Sequence, residues 1–458
     1  MIMEPTELNL ISCLREVPGK RMVYRARWKD NSVIVKIFIH KNSAKRHWLR
    51  DIKGINAFTE KNILSPALLW SGEMPSMDSL KLPEQSYGII LEEVQNAESL
   101  LEVWNKSSDK NKKQLIKDMY KVIASHHNKG LLQTDLHLGN FLLSTDRIYS
   151  IDGDALEIHE GQTPLDKAAE NLALLVSQTE VAATELFVES LPIYLAETSY
   201  GPSFENIFKE SISKTRELRC QRYLKKVFRS CTAINFSKLK GRKVWLNNKY
   251  HTDDMTTYCK NPETLFPKAP EDLLKNGNSA TVAQVNLKEL SLVVKRYNYH
   301  KNIKTFIRRF RTSRAAKSWK NAHMLLNYGL KTPEPVALIE AYTGPAIKSA
   351  YYLSTFEKGS DALTYFTDPK IPFDEKEKMA AKINLIFKVF QTCRISHGDC
   401  KATNFLIVDN EISIIDLDSM QKHDSAKTFK KAFAKDCRRW QKNWRDYPEI
   451  AEIFNKNG

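Results

Sequence analysis

No two cysteines in this chain are spaced C-x-x-C, and the total of seven is odd. That pattern argues against both a disulfide framework and a zinc site, and leaves free thiols. Long apolar runs are also missing: none reaches the roughly 18 residues that span a bilayer. The stretch from Asn171 to Ala196 comes closest, and Glu180, Glu185 and Glu189 interrupt it. The opening MIMEPTELNL carries Glu4 and Glu7 where a signal peptide would carry basic residues. The expected compartment is therefore the cytoplasm. There is no G-x-G-x-x-G loop and no Gly/Ser-rich linker to mark a domain join.

Positive charge, by contrast, is plentiful and concentrated. The net charge is +16 in 458 residues. Between Lys209 and Lys243 twelve Lys/Arg face two acids, and from Arg296 to Pro333 there are ten Lys/Arg and no acid. Such fields attract polyanions: nucleic acid, an anionic membrane face, or a phosphorylated substrate. A solvated helical surface is the plainer reading of the same charges. With 42% hydrophobic residues the chain has ordinary globular composition, so folded domains are expected rather than disorder.

The sequence repeats itself, weakly in identity and closely in spacing. An apolar β-branched run ends on Lys36 (Val33-Ile34-Val35-Lys36), and a second ends on Lys295 (Leu292-Val293-Val294-Lys295). Downstream stand Asp135-Leu136-His137-Leu138-Gly139-Asn140 and Asp399-Cys400-Lys401-Ala402-Thr403-Asn404. Further on come Ile151-Asp152-Gly153-Asp154 and Ile415-Asp416-Leu417-Asp418. Asp to Asn is 5 residues in both copies, first Asp to later Asp is 17 in both, and Lys to first Asp is 99 in one and 104 in the other. Apolar residues at helical spacing precede each first Asp: Leu115, Met119, Val122, Ile123 and His126, then Met379, Ile383, Ile386, Phe387 and Phe390. His126 and His127 are read as structural. The expected fold is α+β: two tandem bilobal units resembling protein kinases, each a β-rich N-lobe on a helical C-lobe, spanning residues 1–235 and 236–458.

These residue types suit phosphoryl transfer, which asks a protein for positioning and charge neutralisation rather than covalent chemistry. A strand lysine, Lys36 or Lys295, would reach the ATP phosphates. A loop carboxylate, Asp135 or Asp399, would orient the acceptor hydroxyl and take its proton. Asn140 with Asp152, or Asn404 with Asp416, would supply hard oxygen ligands to Mg2+, with Asp154 and Asp418 assisting from the same strand face. Lys401 stands two residues after its Asp, where protein kinases place a phosphate-contacting lysine; the first copy has His137 there. Gly19, and Gly277 with Ser279, are thin substitutes for a glycine-rich phosphate loop.

Together these motifs resemble the lipopolysaccharide kinase family, which includes the heptose and Kdo kinases of the inner core. Resemblance is fullest in the second copy: Lys275 to Val282, Val293 to Asn298, Arg311 to Ala322, Thr332-Pro333-Glu334-Pro335, and His397-Gly398-Asp399 to Asp418. The first copy matches through Gly19 to Arg25, Lys36, Asp135 to Leu143 and Ile151 to Asp154. The resemblance implies ATP-dependent phosphorylation of a core sugar at the cytoplasmic face of the inner membrane. The implied partners are the lipopolysaccharide core or another anionic saccharide, with the anionic inner-membrane surface as a peripheral one. Nucleic acid ranks low as a partner.

The pattern departs from protein kinases in two ways. Between Lys295 and Glu334 no acid stands ready to pair with the lysine, whereas the first copy offers Asp51 and Glu60. No Ala-Pro-Glu segment follows either later Asp, which favours a small or saccharide acceptor over a protein. A pair in which one unit is a non-catalytic scaffold stays open as an alternative, as does a kinase for a protein or small-metabolite acceptor. Two further stretches are weighed on their own. Arg308, Arg309, Arg311, Arg314 and Lys317 lie on a helix-compatible segment that would face an anionic substrate or leaflet. Phe429, Phe433, Cys437, Trp440 and Trp444 recur at helical spacing and are expected to pack in the core.

Overall fold

The computed structural model describes residues 8–75, 80, 82–239, 241–287, 290–298 and 311–456. Arg308 and Arg309 of the expected basic segment lie outside these residues. The chain divides into two compact units: Met1–Thr179 with Ala183–Glu217, and Glu180–Ala182 with Leu218–Gly458. Both are α+β.

The first unit opens with an antiparallel sheet of β1 (Asn9–Val17), β2 (Arg21–Trp28), β3 (Asn31–Phe38), β4 (Leu68–Glu73) and β5 (Tyr87–Glu92), in the order β1-β2-β3-β5-β4. The period of two along β3 sets its two faces. Val33, Val35 and Ile37 are fully buried under one face with Ala26 and Ile90. Ile34, Lys36 and Phe38 point to the other, where helix α1 (Ala44–Glu60) brings Trp48, Ile52 and Ile55 against Phe38 and Ile89. Burying each such aliphatic side chain stabilises by about 1.5–3 kcal/mol. The strands are followed by helices α2 (Asp109–Asn128), α3 (Leu165–Val176) and α4 (Thr184–Ala196), which enclose a second core around Tyr120, Ile123, Phe141, Leu172 and Phe187. The helix expected before Asp135 is α2, and its buried stripe includes Met119 and Ile123.

The division between the units falls within helix α5 (Ser203–Lys226). The second unit carries β6 (Ile234–Leu239), β7 (Arg242–Asn247), β8 (Leu273–Asn276), β9 (Ala280–Leu287), β10 (Leu290–Tyr297), β11 (Pro335–Thr343) and β12 (Ala346–Thr355). Their order is β6-β7-β11-β12-β10-β9-β8. Removing the β6–β7 hairpin leaves a five-strand order identical to that of the first unit. Leu292 and Val294 bury under one face of β10. Lys295 and Tyr297 alternate with them and face helix α6 (Arg314–Asn327). The N-cap of α6 is Ser313, whose Oγ accepts the Ala316 N–H at 2.9 Å and donates to Glu340 at 2.6 Å.

Below this sheet, α7 (Phe373–Cys393), α8 (Ala426–Lys442) and α9 (Pro448–Lys456) close on an aromatic core. Phe429, Phe433, Trp440 and Trp444 are buried there, and Trp440 meets Phe405 edge-on at 5.1 Å. Core packing is thus the use of the recurring aromatics near the C-terminus. No helix among the described residues is long and apolar enough to cross a membrane.

Candidate active site

In the first unit the geometry starts from Lys36. Its neighbours along β3 are apolar, so the face it shares with α1 decides what it meets. Lys36 Nζ donates to Asp51 Oδ2 at 2.9 Å, and Asp51 is completely buried. The other oxygen, Asp51 Oδ1, accepts the Gly153 N–H at 3.0 Å. Helix α1 approaches the Asp152-Gly153-Asp154 turn closely because Gly54 has no side chain: a Cβ there would stand 2.1 Å from the Gly153 carbonyl oxygen. One turn of α1 therefore ties the strand lysine to the turn that carries Asp152.

Asp152 lies 3.8 Å from both Lys36 and Arg21. Burial pushes its carboxyl up, but Lys36 and Arg21 outweigh that and hold it below the usual carboxylate range. Its Oδ1 is buried without a hydrogen-bond partner. Asp154 is turned away: Arg50 reaches its Oδ1 at 2.8 Å and His47 its Oδ2 at 3.3 Å. The expectation that Asp152 and Asp154 share a strand face is corrected here. The strand ends at Ser150, Asp152 has φ +73°, and this left-handed residue sends the two carboxylates to different partners.

The loop before it is held by backbone. Asn140 donates from Nδ2 to the Asp135 carbonyl at 2.8 Å, and its own carbonyl accepts the Ile151 N–H at 2.9 Å. Asp135 is 67% exposed, with His137 Nε2 3.9 Å away. Gln133 donates to the Ile151 carbonyl at 3.4 Å. Gly19, at φ +68°, sits in the turn between β1 and β2, just before Arg21.

The second unit repeats this loop bond for bond. Asn404 Nδ2 donates to the Asp399 carbonyl at 2.8 Å, and the Asn404 carbonyl accepts the Ile415 N–H at 2.9 Å. His397, at the position of Gln133, contacts the Ile415 carbonyl through Nε2 at 3.1 Å. Burial lowers the His397 pKa, so its imidazole is neutral and Nε2 carries the donated proton. Asp416 has φ +59°, matching Asp152. The strand again ends first, at Ile414, so Asp416 and Asp418 also lie beyond it.

What differs is the lysine. Lys295 Nζ lies 2.5 Å from Asp416 Oδ1 and 3.3 Å from Asp418 Oδ2. Asp418, nearly inaccessible, also receives Arg314 of α6 at 2.8 Å. Asp418 thus fills the place that Asp51 takes beside Lys36, and α6 contributes a cation where α1 contributes an acid. Burial pushes Asp416 up, yet Lys295 brings its carboxyl below the usual range. Arg314 also donates to the Ser279 carbonyl at 3.2 Å, and Asn298 binds the Gly277 carbonyl at 3.0 Å. The Gly277–Ser279 turn is thereby tied to the Asp418 side of the site. Of the expected basic segment, Arg314 enters the site, while Arg311 and Lys317 are exposed.

Asp399 sits between two cations: Lys401 Nζ 3.0 Å from Oδ2, and Arg439 Nη2 3.3 Å from Oδ1. Arg439 belongs to α8, as does Asp436, whose carboxylate accepts the His397 N–H at 2.6 Å and the Gly398 N–H at 3.0 Å. The counterpart in the first unit is Asn171 of α3, which donates to the Gln133 carbonyl at 2.7 Å and meets His127 at 3.1 Å. Asp436, Asn171 and Arg439 escaped the reading of the sequence, which had offered Asp51 only as one of two candidate acids for Lys36. Asp436 had a signal: it occupies the buried helical stripe of Phe429, Phe433 and Trp440, where an acid stays only with partners. Burial pushes the pKa of the Cys400 thiol well up.

A strand lysine facing carboxylates, above a loop that fixes an Asp and an Asn by main-chain bonds, has the chemistry of a phosphotransferase. The sequence profile of the lipopolysaccharide kinase (Kdo/WaaP) family matches residues 272–447, and this part of the chain is similar to that family. The matched stretch lies wholly in the second unit and contains Lys295, Asp399, Lys401, Asn404 and Asp416. No curated protein matches the chain.

Proposed function

We propose that the protein is an ATP-dependent kinase that phosphorylates a hydroxyl of a lipopolysaccharide inner-core sugar, built as two tandem kinase-like units. The observation that carries this reading is the coincidence of the family match with the Lys295, Asp399, Asn404 and Asp416 constellation in one unit. The tandem part rests on the shared strand order and on the repeated Asp–Asn and Asn–Ile bonds. The sequence puts the two units of this reading at residues 1–235 and 236–458, while the compact units divide earlier, within α5.

The residues fit Mg2+ and ATP. In the first unit Asp152 Oδ1 is a buried oxygen without a hydrogen bond, and Asn140 and Asn404 keep their amide oxygens free of the bonds made through Nδ2. Hard oxygens of this kind suit Mg2+. Bound there, the metal would neutralise charge on the phosphates. Asn140 with Asp152, and Asn404 with Asp416, would hold it. Lys36 or Lys295 would orient the phosphate chain from the strand, with the Gly19 or Gly277–Ser279 turn over it.

Asp399 or Asp135 would take the proton of the acceptor hydroxyl as its oxygen attacks. Lys401 would exchange its bond to Asp399 for the transferring phosphate. His397, neutral and fixed by Ile415, keeps the loop in register beneath these steps. The proposed setting is the cytoplasm, at the inner face of the membrane where the core sugar is presented.

A second reading, in which one unit is a non-catalytic partner, is favoured by the difference at the two lysines. Lys36 already pairs with a helix acid, whereas Lys295 is drawn onto Asp416 and Asp418. Transfer of phosphate from ATP to purified deep-rough lipopolysaccharide, compared between wild type, Asp135→Asn and Asp399→Asn, tests both. Loss by at least 100-fold with Asp399→Asn and little with Asp135→Asn assigns transfer to the second unit. The reverse assigns it to the first, and partial loss from each means that both work. No transfer by the wild type, with ATP bound, removes the lipopolysaccharide assignment.

A further inference from the structure

Helix α8 carries more than the aromatic stripe and Asp436. Between Ala426 and Lys442 it has seven Lys/Arg, and its single acid, Asp436, is buried against the loop. The exposed cations Lys431, Lys435, Arg438 and Lys442 fall at intervals of three and four with Arg439 beside them, so they line one face. That face is continuous with the candidate site, because Arg439 ends 3.3 Å from Asp399. The corresponding helix of the first unit, α3, has one Lys, Lys167, beside Asp166 and Glu170. A basic face is therefore not something the fold requires of a helix in this place.

From this we infer that the exposed face of α8 is the docking surface for the acceptor, and that the acceptor is a saccharide bearing phosphate or carboxylate groups near its accepting hydroxyl. The inference rests on the kinase reading above and adds the surface on which the anionic acceptor docks. Arg439 binds the anionic group nearest the hydroxyl, leaving that hydroxyl at Asp399. Guanidinium forks pair with phosphate and carboxylate through two donors, which fixes orientation as well as charge. Lys435 and Lys442, one turn to either side, engage groups further along the saccharide as point charges. The partner is the acceptor itself and not the lipid leaflet, because the stripe runs to the Asp399 carboxylate.

The test uses the full chain and two probes: inner-core lipopolysaccharide with its anionic groups intact, and the same saccharide dephosphorylated and carboxyl-esterified. Binding is measured directly, without ATP, alongside KM and kcat for transfer. Lys435→Gln with Lys442→Gln is expected to weaken binding of the intact saccharide and raise its KM by roughly tenfold. KM for ATP, kcat and thermal stability stay at wild-type values, and the neutralised saccharide shows no difference. Arg439→Gln is expected to give a larger loss on the intact probe. Wild-type binding of the intact saccharide by the double variant overturns the inference, as does failure of the wild type to bind it. So does a variant that loses binding to phosphatidylglycerol vesicles while keeping its saccharide KM. Wild type that binds the saccharide through this face yet transfers nothing sinks the kinase reading and leaves the surface standing.

Discussion

Lys36 and Lys295 end similar strands, and their neighbours give them different states. Asp51 both takes the lysine ammonium and anchors the turn after Asp152, through Gly153. Removing one partner of a buried ion pair leaves the other charged and desolvated, at a cost of about 3–5 kcal/mol. Asp51→Asn is accordingly expected to lower the stability of the first unit by about 3 kcal/mol and to abolish its nucleotide binding. Calorimetric unfolding, with titration of an ATP analogue, checks this; an unchanged transition and unchanged affinity would refute the assigned role. Asp51 was one of two acids available to the sequence reading, the other being Glu60. The sequence could not separate them, because only the rotation of α1 against β3 decides which acid faces the lysine. For Lys295 it offered no helix acid at all. The answer, Asp418, lies 123 residues away along the chain.

Among the elements, α1 and α8 do the positioning. Helix α1 presents Arg50, Asp51 and Gly54 to the turn after Asp152. The tight approach at Gly54 is a main-chain contact, so a methyl group cannot be accommodated by a side-chain rotation. Gly54→Ala is expected to push α1 off the turn and destabilise the first unit by about 1–3 kcal/mol. Loss of nucleotide binding there should accompany it, read by the same titration; an alanine tolerated without either effect would mean that α1 docks elsewhere. The sequence made α8 legible as a helix, whereas α1 drew no reading of its own. It read α8 by its aromatics, correctly as core, and passed over the acid within that stripe. Helical periodicity reports which positions are inward, but not which loop an inward carboxylate meets.

Across the whole molecule, buried neutral histidines recur in both units. Burial lowers His126 to about 3 and His127 to about 4 in the first unit, and His323 to about 4 in the second, from an ordinary 6.5. His126 meets Ser150 at 2.9 Å, and His127 lies between Tyr194 and Asn171. Because the folded values lie below the unfolded one, the unfolded chain takes up protons first as the pH falls. Stability is therefore fully present above about pH 6.5 and is lost below it, down to the folded values. Each of these histidines is expected to remove about 2 kcal/mol between pH 6.5 and pH 5. Denaturant unfolding at pH 7.5, 6 and 5 should show both units weakening together. A flat profile, or one unchanged when His126 and His127 are replaced by leucine, would refute the account.

The sequence alone determined the landmarks: the two strand lysines, the two Asp-x4-Asn loops, the later Asp pairs, and the apolar periodicities that made α2, α7, β3 and β10. These are local, since burial alternates with period two or three to four and polar exceptions to that rhythm stand out. It also marked the second copy as the closer likeness to the lipopolysaccharide kinases, where the family profile falls. The partners were decided by tertiary structure alone. Which acid holds Lys36, what takes that acid's place beside Lys295, why Asp152 and Asp154 part company, and how Asp436 and Arg439 come to Asp399 all depend on packing between elements distant in sequence. A hydrogen bond a few ångströms long between residues a hundred positions apart leaves no mark on spacing.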